Sequence, residues 1–367
     1  MARVVVAGAG PAGSAAAMGL RREGIETILV DRRPFPRTKV CGSGLSPWTL
    51  DLLDELGVGA KVRSRAFRID GAIIAGVEGD GIELRGDHET AILLREEFDE
   101  LLMNEARARG AEFREGVRVR GAVYDGERLV GVETADGVIE ADGLIDCTGA
   151  TGKLASTHHR SGRTLHTILG WFEGVANTQD VVELYFDPTV KPHYGWVFPE
   201  TAERVNIGLV YEPTEDGLNA RERFSAFVER RLSRRIRGAQ QLGKLMGHPA
   251  HVSSFPRGLV RDGVLVAGEA GRLVDAATAE GIYHGLVSGT AAGRLLGQLL
   301  GEGEAPTAAK LAPYQRIVQQ KLAVRMMLGR SLMTALRSPV LDLALRLGDS
   351  RPVRTVITKA FAGLYHG

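Results

Sequence analysis

Residues 3–31 read RVVVAGAGPAGSAAAMGLRREGIETILVD. An apolar run leads into Gly8-Ala9-Gly10-Pro11-Ala12-Gly13, an alanine-rich stretch follows, and TILVD closes on Asp31. The order is strand, glycine turn, helix, strand, acid, which is the βαβ unit that holds the ADP half of a dinucleotide. Gly8 permits the tight turn, Gly10 lets the backbone approach a pyrophosphate, and Gly13 lets the helix pack close to the strand. Pro11 suits the first helical turn, where a missing N–H costs nothing. Asp31 falls 18 residues after Gly13, where an acid can bond ribose hydroxyls. A glycine fingerprint alone also describes an ordinary strand–helix turn. Here both strands, the helix and the acid accompany it.

At 367 residues the chain is too long for one simple core, and about 150 residues per domain suggests two domains. Its 47 glycines point to frequent turns and close backbone contacts. A net charge of +1 gives no reason to expect a nucleic-acid partner. The charge is uneven, because from Lys310 onward ten Lys and Arg residues face two acids. Two cysteines, Cys41 and Cys147, cannot make a disulfide framework, so a reducing cytoplasm is expected. Residues 4–20 are uncharged and follow Arg3, but their glycines and Pro11 fit a phosphate turn better than the apolar core of a signal peptide. No other run approaches the ~20 apolar residues of a membrane span.

Helical periodicity is read over residues 47–57 and Glu96–Arg109, with short strands between 66 and 93. Strand patterns follow at Glu112–Val123, Arg128–Thr134 and Val138–Cys147. They continue as LHTILGWFEGV, DVVELYFD, YGWVFPE and VNIGLVY between 165 and 211, and a further strand is read at 251–255. Residues 219–237 form a basic, polar helix. At 261–268 RDGVLVAG returns to the pattern of the first domain and ends at Glu269. The helix after Glu280 carries Gly281, Gly285, Gly289, Gly293 and Gly297, one every four residues. Each interior glycine costs ~1 kcal/mol against alanine, so the ridge implies another backbone or a cofactor packed against it. His284, Arg294 and Gln298 argue against a membrane helix.

One fingerprint and a C-terminal return together favour FAD, whose length needs a second contact far from its adenine end. Gly268-Glu269 can meet the ribityl–phosphate region. A helix starting near Gly281-Ile282 can aim its amides at the flavin pyrimidine, where reduced flavin is negative. Four further segments resemble the geranylgeranyl reductase family of flavoproteins, within the p-hydroxybenzoate-hydroxylase-like fold group. Lys39-Val40-Cys41-Gly42-Ser43-Gly44-Leu45 resembles its K-x-C-G-x-G-L loop, and Arg95 with Phe98, Asp99 and Leu102 its R-x-x-F-D-x-x-L helix. Tyr194-Gly195-Trp196-Val197-Phe198-Pro199 and Val205-Asn206-Ile207-Gly208 resemble its Y-x-W-x-F-P and VNxG strands, and 268–282 its G-D-A-A-G…G-E-G-I segment.

The resemblance implies an α/β fold: a Rossmann-like FAD-binding domain interleaved with a β-sheet substrate domain, plus C-terminal helices. The FAD-binding domain is expected from residues 1–65, 95–150 and 258–305, the substrate domain from 66–94 and 151–257, and the tail from 306–367. It implies that Asp31, Arg32, Arg95 and Val119, with Gly8, Gly10, Ala12 and Gly13, hold the adenosine and diphosphate parts of FAD. Cys41, Gly42, Gly44, Leu45, Gly281 and Ile282 would lie at the flavin ring, with Gly268 and Glu269 between. The sequence departs from the family where its Asp is Glu269 and where its Gly, Pro and Gly are Arg272, Ala276 and Ala279. The hydroxylases' Asp-Gly, associated with FAD and NADPH, falls at Thr148-Gly149, which argues against an aromatic hydroxylase driven by NADPH.

Cys41 is a candidate redox partner or proton donor, or else a small residue packed under the flavin. Cys147 ends an apolar strand and belongs to a core. Tyr194, Trp196 and Phe198 share one face of a strand, as a sheet core or as an aromatic wall for an apolar substrate. His193 beside Tyr194 is the histidine to test as an acid. His158-His159 lacks metal-ligand spacing and belongs to a surface loop; no metal is expected. The basic tail, with Leu322, Met326, Leu332, Leu336, Leu341 and Leu345 at helical spacing, is either a helix pair packed on the body or a peripheral membrane patch.

The function expected is saturation of C=C bonds of an isoprenoid or related lipid by hydride from reduced FAD, in the cytoplasm or at the inner face of the membrane. The rivals are a flavin monooxygenase or halogenase, and a non-catalytic FAD- or lipid-binding protein. Halogenases tend to carry W-x-W-x-I-P, whereas Tyr194 and Phe198 match the reductase form. No second nucleotide fingerprint exists, so ferredoxin, another flavoprotein or NAD(P)H is the external electron donor.

Overall fold

The computed structural model describes residues 2–76, 81–152, 154, 163–190, 192–213, 217–252 and 257–336. His158, His159, Leu341 and Leu345 lie outside them. The chain opens with β1 (Arg3–Ala7), α1 (Pro11–Arg22) and β2 (Glu26–Asp31), the expected βαβ unit. Then come β3 (Gly44–Leu45), α2 (Pro47–Glu55), α3 (Gly59–Arg63), β4 (Phe67–Ala75), β5 (Ile82–Ile92) and α4 (Arg95–Ala108). Short strands β6 (Glu112–Glu115), β7 (Gly121–Asp125), β8 (Arg128–Thr134), β9 (Gly137–Glu140) and β10 (Gly143–Asp146) follow. Next are β11 (Arg163–Glu173), β12 (Val181–Tyr185), β13 (Gly195–Pro199), β14 (Arg204–Tyr211), α5 (Ala220–Leu232) and β15 (Gln240–Val252). The described chain ends with β16 (Val260–Arg261), β17 (Val264–Val266), a 3-10 turn at Gly268–Gly271, α6 (Ile282–Gly301) and α7 (Ala308–Leu336).

One sheet has the order β16-β17-β10-β1-β2-β6. Its inner strands are parallel, and β1 lies between β2 and β10. That reversal of direction of growth leaves a crevice at the carboxyl end of β1, where doubly wound folds bind ligands. The second sheet runs β15-β11-β14-β13-β12-β4-β5-β3 and a third β7-β8-β9. Two stretches read as single strands are divided. Gly116, at φ +75°, ends β6 before β7, and residues 138–147 separate into β9 and β10, which belong to different sheets. Strand β15 is longer than the 251–255 stretch suggested. As an edge strand it tolerates Gly243, Gly247 and Pro249, which hide it from a pattern reading.

One face of the second sheet packs on α5 through Phe172, Val197, Ile207, Phe224 and Phe227. Val197 and Trp196 alternate across β13, so Trp196 belongs to the opposite face with Leu169 and Val210. Leu311, Tyr314, Val318, Leu322 and Met326 bury one side of α7 in the main core, and the Tyr314 hydroxyl donates to the Val266 carbonyl at 2.8 Å. Val324, Met327 and Leu328 on the other side are exposed.

The glycine ridge of α6 meets the backbone of α1. A Cβ on Gly289 would stand 2.0 Å from the Ala12 carbonyl oxygen, and one on Gly293 2.2 Å from that of Ala16. Gly301, at the end of the same helix, has nothing nearer than 4.0 Å. Gly293→Ala should therefore destabilise by at least about 1–3 kcal/mol through overpacking, and Gly301→Ala should stabilise by about 0.5–1 kcal/mol. Urea unfolding of the purified variants measures both, and equal effects would contradict the close contact.

Candidate functional site

A cavity of about 770 Å³ runs from the glycine turn to β13. At its first end, Gly8 has φ +104° and a Cβ there would lie 2.3 Å from the Cys147 carbonyl oxygen. A Cβ on Gly13 would lie 1.7 Å from the Gly8 carbonyl oxygen. Gly10 differs: its nearest neighbours are the side-chain ends of Arg37, Asp99 and Arg95 at 3.6–4.0 Å, and it lines the cavity with Ala12. Gly10 caps α1 and Pro11 opens it, so the first amides of a twelve-residue helix meet the cavity with their partial positive charge.

Asp31 ties this turn to β2, because its carboxylate accepts the Ala9 N–H at 2.9 Å and the Arg33 N–H at 3.0 Å. Arg37 reaches Asp31 at 3.4 Å and the fully buried Asp99 at 3.1 Å. Arg95 grips Asp99 with two N–H···O bonds of 2.7 and 2.9 Å across one turn of α4. Burial opposes the charge on Arg95, but Asp99 and Cys41 together more than offset it and raise the guanidinium pKa. Two cations beside a backbone without a Cβ, at a helix N-terminus, fit a pyrophosphate. Arg32 and Val119 line the rim. Arg37 is a residue that the sequence reading missed. No periodicity marks it, since it lies in a Pro-rich loop and reaches the site only through the fold.

Toward the second end, Cys41, Gly42, Gly44 and Leu45 line the cavity, as do Gly268, Glu269, Gly281 and Ile282. The Cys41 sulfur accepts the Ser43 N–H at 3.3 Å, and β3 pairs with β5, so this loop is stitched to the second sheet. A Cβ on Gly42 would stand 2.9 Å from the Phe198 ring. The loop therefore lies flat on the aromatic side chains. Gly281 caps the twenty-residue α6, which presents a second helix N-terminus. Arg272 and Ala279 sit at φ +57° and +55°, keeping the left-handed backbone at positions where the resembled family has glycine. Each such residue costs roughly 1–2 kcal/mol.

Tyr194, Trp196 and Phe198 line the far end together, with centroid spacings of 6.2 and 6.0 Å. The Trp196 indole donates to Asn206 at 2.7 Å, and the Tyr194 hydroxyl donates to the Thr278 carbonyl. Gly208 leaves room for Trp196, since a Cβ there would lie 2.2 Å from the indole. His193 does not join them. It is fully buried away from the cavity lining, its Nε2 lies 3.1 Å from Glu212, and burial pushes its pKa down. Proximity in sequence to Tyr194 did not bring it to the same face. Among the further polar residues that line the cavity are Lys39 and His248.

Gly10→Ala meets no backbone, so it should leave stability unchanged and weaken FAD binding at least tenfold, about 1.4 kcal/mol. Gly13→Ala should instead destabilise the apoprotein. Flavin titration and urea unfolding of both variants separate the two roles, and normal FAD affinity in Gly10→Ala would overturn this placement.

A family described as FAD binding domain matches residues 1–316. The chain is 31% identical over 312 residues to a menaquinone reductase of Mycobacterium tuberculosis, covering 78% of this chain and 74% of that protein. It is 30% identical over 302 residues to a digeranylgeranylglycerophospholipid reductase of Methanopyrus kandleri, covering 77% of each. A tryptophan 2-halogenase of Chondromyces crocatus is 28% identical over 349 residues, which are 86% of this chain but only 65% of the halogenase. In fold, a geranylgeranyl bacteriochlorophyll reductase-like protein of Thermoplasma acidophilum superposes with a TM-score of 0.86 at 21% identity, over 100% of this chain and 97% of that one. A flavin-dependent brominase, Bmp2, superposes with a TM-score of 0.78 at 18% identity, over 99% and 94%. A glycine cradle, two guanidinium groups and two helix N-termini around one cavity are thus joined by a family match over most of the chain: it belongs to the FAD binding domain family and is an FAD-dependent oxidoreductase similar to geranylgeranyl reductases.

Proposed function

We propose that this oxidoreductase saturates carbon–carbon double bonds of an isoprenoid chain or a related lipid. The observation that carries the reading is the continuity of the cavity. Leu169, Leu184, Val210 and the three aromatic residues line the same space as the glycine turn. The two lipid-related reductases among its relatives support it. Reduced FAD, when bound, supplies a hydride. The residues of the chain do the rest. The apolar end excludes water, which strengthens electrostatic contacts inside. The polar atoms of Tyr194 and Trp196 are held back by Thr278 and Asn206, so their rings remain to face a substrate. Aromatic faces stabilise positive charge, as develops on an alkene carbon when its neighbour takes a proton. Electrons come from an external donor, a ferredoxin, another flavoprotein or NAD(P)H.

The second reading is a flavin monooxygenase or halogenase acting on a biosynthetic intermediate, supported by the halogenase and brominase similarities. One experiment decides between them. The holoenzyme is reduced anaerobically with dithionite and mixed with a geranylgeranyl lipid. Flavin absorbance should return as the lipid gains two hydrogens per bond. A flavin that stays reduced with the lipid, but forms a C4a-hydroperoxide band with O₂ and modifies an aromatic substrate, would favour the second reading.

Contact with a membrane surface belongs to the same proposal. Among the described residues no helix is long and apolar enough to cross a membrane. The exposed Val324, Met327 and Leu328 share one side of α7 beside the exposed Lys321. The full chain should co-sediment with phosphatidylglycerol vesicles, and Met327→Glu with Leu328→Glu should reduce the bound fraction several-fold. No binding by the wild type would remove this part.

A further inference from the structure

His248 and Lys39 meet inside the cavity. The Lys39 Nζ lies 2.9 Å from His248 Nε2 and 3.6 Å from a Glu269 carboxylate oxygen. The three come from separate places: the loop before β3, the edge strand β15 and the turn after β17. The backbone of His248 is fixed by Thr167, its partner on β11, whose hydroxyl donates to the His248 carbonyl at 2.9 Å. An ammonium group has donors only, so the imidazole nitrogen it meets carries a lone pair. The resting pair is a charged Lys39 and a neutral His248.

The surroundings keep that assignment. Burial and then the Lys39 charge push the His248 pKa below its ordinary value, with Arg95 of α4 acting the same way and Glu269 opposing. Burial also lowers Lys39, while Glu269, Cys41 and Asp99 support its charge. His251, on the same strand, is hydrogen-bonded to Thr164. New negative charge beside the pair opposes that lowering and favours a proton on the imidazole.

We propose that the Lys39–His248 pair is a redox-linked proton store, which takes up one proton when the flavin is reduced and releases it when the flavin is reoxidised. The inference rests on the loop Cys41–Leu45 flanking the flavin ring, not on the identity of the substrate. On reduction, the external donor supplies two electrons, one solvent proton enters the flavin, and a second solvent proton enters His248 in answer to the new negative charge. Where the acceptor is an alkene, the π bond breaks and two C–H bonds form. One hydrogen arrives as hydride from the flavin and the other as the proton of His248. Oxidised FAD and a neutral imidazole are regained. His248 would then be a catalytic residue and Lys39 a positioning residue that holds it neutral between turnovers.

The test is the pH dependence of the flavin midpoint potential in the holoprotein, with no substrate present. Between the His248 pKa values of the oxidised and reduced states, two protons accompany two electrons. The potential should then fall by about 59 mV per pH unit, twice the roughly 30 mV of a one-proton couple. His248→Gln, checked for FAD content by absorbance, should show about 30 mV throughout, and His248→Asn serves if Gln does not retain FAD. Lys39→Met should move the steep window to higher pH. A wild type with about 30 mV at every pH, a steep segment that survives in both His248 variants, or a window unmoved in Lys39→Met would overturn the proposal. Because the titration uses no lipid, its failure leaves the alkene reading standing, and an inert lipid leaves the titration standing.

Discussion

The contact between the backbones of α1 and α6 is the constraint on which the site depends. Ala12 is its centre. The Cβ positions of Gly268, Gly285 and Gly289 all fall on Ala12, at 2.9, 3.6 and 2.0 Å. The glycine turn, the return after β17 and the long helix are thereby locked to one residue of the fingerprint. The glycines of the ridge each cost α6 about 1 kcal/mol of helical preference. In return, two helix N-termini open on the same cavity at a separation that side-chain packing could not hold so closely. An elongated anionic cofactor needs that arrangement, with a fixed positive end for its phosphates and another for its ring.

Polarity falls along the cavity in an order that physical chemistry explains. At the glycine turn, Arg37 and Arg95 are matched by Asp31 and Asp99, because buried charge without a partner costs several kcal/mol. Midway, Lys39, His248 and Glu269 form a second balanced group. At the far end, the side-chain polar atoms of Trp196 and Tyr194 are engaged by Asn206 and by the Thr278 carbonyl. A molecule with a charged end and a greasy end is therefore oriented before any specific contact with it is made.

Much of this was legible in the residues. The βαβ unit, the return at Val264–Val266, the helix α6 and the reason for its glycines follow from local pattern and the cost of glycine in a helix. The aromatic triplet was legible because alternation along a strand places Tyr194, Trp196 and Phe198 on one side. Other features were not. Strand β15 lies at a sheet edge with half-exposed side chains, so neither its length nor the position of His248 leaves a periodic signal. Arg37 and Lys39 sit in a loop whose path is set by residues far away, Asp99 and Glu269. His193 shows the converse, since neighbours along an extended segment point to opposite sides, and adjacency to Tyr194 carries the imidazole away from the cavity.

The strand order β16-β17-β10-β1-β2-β6 has a consequence for how the molecule is made. The glycine turn precedes β10 and β17, beside which β1 must be built up, and the helix that covers α1, so these are synthesised far later than the turn. Contacts of such long sequence separation close slowly. Until residues near 293 have emerged, β1 has β2 and β10 beside it and α1 has α4, but the face of α1 that meets α6 is uncovered, and it is a surface that a chaperone would hold. FAD added to a growing chain would find no cradle. Its capture requires that the glycine turn and α6, far apart along the chain, have already met.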